Sequence, residues 1–173
     1  MAAPNGVDFA IVTLRSLALS ASARSDRELH ELFPGPVLLV PIRDRETATL
    51  ADRETRTGPP DPGPARVEDF HDAVIVRLSP DASSGRKHVT IGRAWDDDVF
   101  VGDPSVSRCH GVIAIGPGAI YSDCVSTNGS RVRGKTVEPE HPVDLESGDR
   151  IELASACVLF LEPAGLRALV RGR

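Results

Sequence analysis

A set of side chains that could do chemistry together falls in three short polar motifs between Ile91 and Gly129. They are Gly92-Arg93, Ser107-Arg108-Cys109-His110 and Ser126-Thr127-Asn128-Gly129. Together they offer two arginines, several hydroxyls and an amide. Such a set suits a phosphate dianion, which takes charge-assisted hydrogen bonds from several directions. A guanidinium fork can hold two oxygens, and neutral hydroxyls can fill the remaining directions. Ser107 and His110 also invite a Ser-His-Asp reading. Two such residues at i, i+3 in one loop, without a nucleophile elbow or an oxyanion motif, do not make a triad. Asp96-Asp97-Asp98 lacks the ligand spacing of a calcium loop. It reads as a solvated loop that, beside a groove, favours a basic residue in the ligand. Trp95 reads as a packing residue, with a peptide contact as the alternative.

Each motif adjoins an apolar run of strand length. Ala73 to Leu78, Val89 to Ile91, Val99 to Val101, Gly111 to Ile115, Ala119 to Tyr121, Ser130 to Val132, Ile151 to Leu153 and Cys157 to Leu161 are separated by Gly, Pro, Ser, Asn and Asp. Gly116-Pro117-Gly118 is a hairpin turn. Many short strands without alternating helices predict an all-β sandwich of two antiparallel sheets, with function in its loops. Ahead of it, 58–65 reads GPPDPGPA, a semi-rigid linker. The expected division is therefore a partly helical extension over 1–57, the linker 58–65, the sandwich domain 66–163 and a tail 164–173 forming one or two helical turns.

Within the extension, apolar spacing predicts a helix over residues 5–19, capped by Asn5 with Asp8 in its first turn. Ser25 and Glu28 form a capping-box signature for a second helix ending before Pro34, and Val37 to Ile42 reads as a strand. Residues 43–57 are polar and charged, and hold Thr47, Thr49, Thr55 and Thr57.

Composition narrows the function. The 173 residues carry a net charge of −5 and are 4% aromatic. An acidic chain poor in stacking side chains is a poor nucleic-acid binder. No stretch has the length of a membrane span, and the apolar N-terminal run, opened by Asp8 and interrupted by Arg15, does not read as a signal peptide. Cys109, Cys124 and Cys157 form no CxxC pair, which points to neither a disulfide framework nor a metal site but to a reduced, cytoplasmic setting. Cys109 reads as a loop thiol and Cys124 as a small apolar strand residue. No P-loop, zincin or kinase signature is present, so neither an enzyme nor a cofactor is expected.

The residues resemble a forkhead-associated (FHA) domain, the phosphothreonine-binding β-sandwich, over about Asp69 to Glu162. The resemblance rests on motifs in the family's order: Thr90-Ile91-Gly92-Arg93, Val106 to His110, Ser126 to Ser130, the Val132-Arg133-Gly134 turn, and Leu145 followed by Gly148 to Ile151. It implies that Arg93 holds the phosphate and that Ser107 and Thr127 bond its oxygens, with Arg108 either reaching it too or standing at a solvated rim. Asn128 resembles the residue that holds the peptide main chain. His110 resembles a brace of the loops, with Gly92 and Gly129 supporting them. At the turn the family has Val-Asn-Gly; Arg133 replaces an asparagine suited to φ > 0.

The resemblance thus implies a non-enzymatic module that docks a phosphothreonine-containing protein, such as a Ser/Thr kinase or its substrate. The alternative is a scaffold or oligomerisation protein of the same fold that binds unphosphorylated partners. A phosphorylated threonine of 43–57 occupying the protein's own groove is a further implied partner.

Overall fold

The computed structural model describes residues 12–21, 23–42, 70–78 and 87–172. The expected linker, the threonines at 47, 49, 55 and 57, and residues 5–11 of the first expected helix lie outside them. Eleven strands and three helices follow in the order α1 (Leu14–Ala21), α2 (Asp26–Leu32), β1 (Val37–Val40), β2 (Val74–Arg77), β3 (His88–Gly92), β4 (Val99–Phe100), β5 (Gly111–Ile115), β6 (Ala119–Asp123), β7 (Ser130–Val132), β8 (Lys135–Val137), β9 (Val143–Leu145), β10 (Arg150–Leu153), β11 (Ala156–Leu161) and α3 (Pro163–Val170). They form a six-stranded sheet, β2-β1-β11-β10-β7-β8, and a five-stranded sheet, β4-β3-β5-β6-β9. Among the described residues the strand pairings are antiparallel except β3 with β4, which is parallel.

The expected sandwich is present. Between the sheets lie Ile91, Val99, Ile113, Tyr121, Ile151, Val158 and Phe160, all essentially inaccessible. In the five-stranded sheet the inward residues alternate with outward ones, as the period of a strand with one wet face requires.

β1 departs from that alternation. Val-Leu-Leu-Val is buried at every position because its two faces serve different layers. Leu38 and Val40 enter the core between the sheets. Val37 and Leu39 instead join Leu159 and Leu161 of β11 beneath the helices. Leu14, Leu17 and Ala21 of α1, Leu29 of α2, and Leu166 and Val170 of α3 complete this second layer. The residues expected to form an extension and a tail therefore contribute a strand and the helical cover of the same sheet. β1 sits between β2 and β11, in register with both.

Two helix expectations need separate treatment. α2 has the full capping box: the Glu28 N–H donates to Ser25 Oγ, and the Ser25 N–H donates to the Glu28 carboxylate. α1 starts later than apolar spacing suggests. Thr13 bridges to Val74 in extended conformation, and the Ser16 N–H donates to Thr13 Oγ1 at 3.2 Å. Thr13 thus caps the helix, and α1 runs on through Ser20, where the pattern weakens.

Candidate functional site: a loop cluster at one end of the sandwich

The site is built on a close approach of two backbones. At the end of β3, the N–H groups of Arg93 and Ala94 donate to the carbonyls of Ser107 and Arg108 at 2.9 and 3.1 Å, and the His110 N–H donates to Ile91 O at 2.9 Å. A methyl group on Gly92 would collide with the Arg108 carbonyl and the Asp97 carboxylate. Glycine at 92 is thus a packing requirement that seats the first motif against the second.

The second motif is joined to the third by hydroxyls. Ser107 Oγ accepts the Thr127 N–H at 3.0 Å and donates to Thr127 Oγ1 at 3.4 Å. Asn128 Nδ2 donates to Ser105 O at 2.9 Å. Arg93 Nε donates to Val106 O at 3.0 Å, which draws that side chain across the same loop. Arg93, Ser107, Thr127 and Asn128 are thus gathered in one cluster, while Arg108 lies beside it, exposed, with its carbonyl held by Ala94. Among the described residues neither Arg93 nor Arg108 forms an ion pair with a carboxylate.

His110 is fully buried beneath the cluster. Its Nδ1 accepts the Ser107 N–H at 3.0 Å, so the ring proton sits on Nε2, which donates to the Gly129 carbonyl at 3.2 Å. Burial holds its pKa below the usual imidazole value, against the opposing pull of the Gly129 bond and Asp123. It is therefore a neutral brace tying the second motif to the third. Gly129, at φ +75°, occupies the left-handed region that glycine tolerates best.

Sequence reasoning missed the carboxylate that shapes the third loop. Asp123 accepts the Ser126 N–H and the Ser126 hydroxyl, each at 2.7 Å, and also the Ser130 hydroxyl. With Ser130 donating to Asp123, the Tyr121 hydroxyl donates to Ser130, at 2.7 Å. Burial first of all pushes the Tyr121 phenol well above its normal value. The signal was available: Ala119, Tyr121 and Asp123 share the inward face of β6, and an inward carboxylate must find donors. This clamp holds Val125 at φ +58°, a costly conformation for a β-branched residue, with 81% of its surface exposed.

The acidic run is not simply a solvated loop. Asp98 Oδ2 accepts from the Thr90 N–H and hydroxyl at 2.9 and 3.1 Å, and Asp97 Oδ2 accepts the Ala94 N–H at 3.1 Å. Both brace the first loop, and desolvation raises the Asp97 pKa. Trp95, expected to pack, is 83% exposed. The inward places around it are filled by Ile91, Val99, Val101 and Val106. Cys109 is exposed, and burial pushes the half-buried Cys124 thiol up to about 11. Among the described residues no cluster of His, Cys, Asp or Glu could hold a metal ion.

Arg133 adopts φ +53°, so the turn keeps its left-handed geometry without asparagine. Its guanidinium donates to Asp149 Oδ2 and to the Asp144 carbonyl, each at 3.0 Å, which offsets the strain.

Loops of this kind on a two-sheet sandwich define a class. Residues 89–154 match the family model for the FHA domain, a module known for binding phosphothreonine. Comparison with curated protein sequences gave no match. Among solved structures, the chain is similar to Mycobacterium tuberculosis EmbR in complex with a low-affinity phosphopeptide. That likeness is 30% identical over 46% of this chain and 22% of EmbR, with a TM-score of 0.41. The chain thus spans about a fifth of that relative. An FHA domain of an Arabidopsis thaliana hypothetical protein shares the fold, with a TM-score of 0.50 and 18% identity over 76% of this chain and 87% of that one. The N-terminal FHA domain of S. cerevisiae Rad53p, in complex with a phosphothreonine peptide, is 24% identical over 54% of this chain and 87% of that one, with a TM-score of 0.45. Among the described residues no helix is long and apolar enough to cross a membrane.

Proposed function

We propose that this protein binds phosphothreonine in a partner protein, a Ser/Thr kinase or its substrate, and works as a docking module without catalysis in the cytoplasm. The observation that carries the reading is the Ser107–Thr127 contact. It brings two hydroxyls and a backbone N–H to one point beside Arg93, whose Nε is already committed to Val106.

In this reading Arg93 offers its two terminal amino groups to two phosphate oxygens, and Ser107 and Thr127 donate to the dianion. Arg108 adds a second cation at the rim. Asn128 spends one amide hydrogen on Ser105. Its carbonyl oxygen and second hydrogen suit an amide that holds the peptide main chain. Gly92, His110 and Gly129 keep the loops in place. A phosphorylated Thr47, Thr49, Thr55 or Thr57 is a candidate ligand within the same chain, favoured by effective concentration.

The test is fluorescence anisotropy with degenerate phosphothreonine, phosphoserine and unphosphorylated peptide pools. Arg93→Ala is expected to weaken phosphothreonine binding by about tenfold to a hundredfold or more, the value of a charge-assisted hydrogen bond of roughly 1.5–3 kcal/mol. Arg93→Lys restores it only in part, because a point charge lacks the fork. Equal binding to all three pools, indifferent to Arg93, would replace this reading with a scaffold for unphosphorylated partners.

A further inference from the structure

The two sheets differ on their outer faces. Where the six-stranded sheet lies beyond its helical cover, its outward positions are Arg150, Glu152, Arg131 and Thr136, as a wet face requires. The five-stranded sheet turns no such charged surface outward at its centre. Its outward residues stand in rows set by the register. One row crosses four strands as His88, Ala114, Ile120 and Asp144; the next is Thr90, Val112 and Ser122. Ala114 is exposed, Ile120 is 39% exposed, and Val112 between Thr90 and Ser122 is half-buried. The centre is apolar, and the two ends of the longer row carry an imidazole and a carboxylate.

We infer that this face is the interface of a homodimer. A second copy packs on it about a two-fold axis that runs parallel to the strands, between β5 and β6. That axis exchanges β3 with the partner's β9 and β5 with the partner's β6. His88 then meets the partner subunit's Asp144, and Ala114 meets the partner subunit's Ile120. Val112 meets the partner subunit's Ser122. Every contact is made twice, as an isologous interface demands. A small side chain faces a large one at the centre. At each end an imidazole N–H faces a carboxylate, an apolar middle with a polar rim. The patch is only a few strands wide, so association is weak and concentration-dependent.

Sedimentation equilibrium of the full chain over a wide range of loading concentrations tests this. The average mass is expected to climb from monomer towards dimer. His88→Asp sets carboxylate against carboxylate at both ends, and is expected to weaken association by about a hundredfold or more. Adding Asp144→Lys to it reverses the pair and restores association. Ile120→Arg abolishes association through the centre. All of these positions are exposed, so an unchanged thermal melt verifies each variant's fold. A chain that stays monomeric at every concentration overturns the proposal. So does a dimer indifferent to His88→Asp and Ile120→Arg, or a double swap that fails to restore what the single change lost.

Discussion

The layer beneath the helices and the loop cluster at the end of the sandwich are held by different forces. Under the helices the contacts are apolar and many: Val37, Leu39, Leu159 and Leu161 from the sheet meet Leu14, Leu17, Leu29, Leu166 and Val170. No single pair decides that packing, and its strength grows with buried area. In the loop cluster a few directional bonds carry the geometry, through Ser107, Thr127, His110 and Asp123. The first region sets whether the chain folds. The second sets what the folded chain can hold.

Removing the N-terminal part of the first region gives the largest expected effect. A chain shortened to residues 66–173 begins at the boundary suggested by composition, yet lacks α1, α2 and β1. Leu159, Phe160 and Leu161 lose their neighbour strand, and Leu159 and Leu161 also lose the part of their cover that α1 and α2 supply. It is expected to show no cooperative thermal transition; a sharp melt would make the helical layer dispensable. Within the loop cluster, Gly92→Ala forces the two backbones apart and is expected to cost about 1–3 kcal/mol, as overpacking does. Chemical denaturation measures that cost, and peptide titration should show binding lost beyond what the stability change explains.

The buried His110 yields a test by pH alone. Burial holds its folded-state pKa below the ordinary imidazole value of about 6.5, so at low pH the unfolded chain binds the extra proton. Its contribution is complete above that value. It declines as pH falls through 6.5, by at most about 1.4 kcal/mol per pH unit, until the folded pKa is reached. Urea midpoints across pH 5 to 7.5 are expected to lose this slope in His110→Gln. The smallest effect belongs to Arg133→Asn. Relief of the positive φ offsets the loss of a half-exposed ion pair, and the net destabilisation is expected below about 1 kcal/mol by the same denaturation curves.

Much of the loop cluster was legible because its residues sit in contiguous motifs, each beside an alternating strand. The capping box of α2 was legible for the same reason: Ser25 and Glu28 act within one turn. What escaped depends on which partner a residue takes, far along the chain or close by. Val37 to Val40 reads as an apolar run, but nothing local says that it lies between β2 and β11, the latter some 120 residues on. A proline-rich stretch looks like a boundary whichever strands pair across it. Likewise Asp97 and Asp98 read as solvated because their donors, Ala94 and Thr90, are backbone groups and a hydroxyl that any loop could offer.

The Ser107 hydroxyl has one further consequence. Its contact with Thr127 Oγ1 is long, at 3.4 Å, while its lone pair is held firmly by the Thr127 N–H at 3.0 Å. In the proposed reading, an arriving oxyanion would need only to turn one hydrogen about the Cβ–O bond, with no change of rotamer at Ser107. On that reading the on-rate is expected to follow encounter, and selectivity among ligands to be written in how slowly they leave.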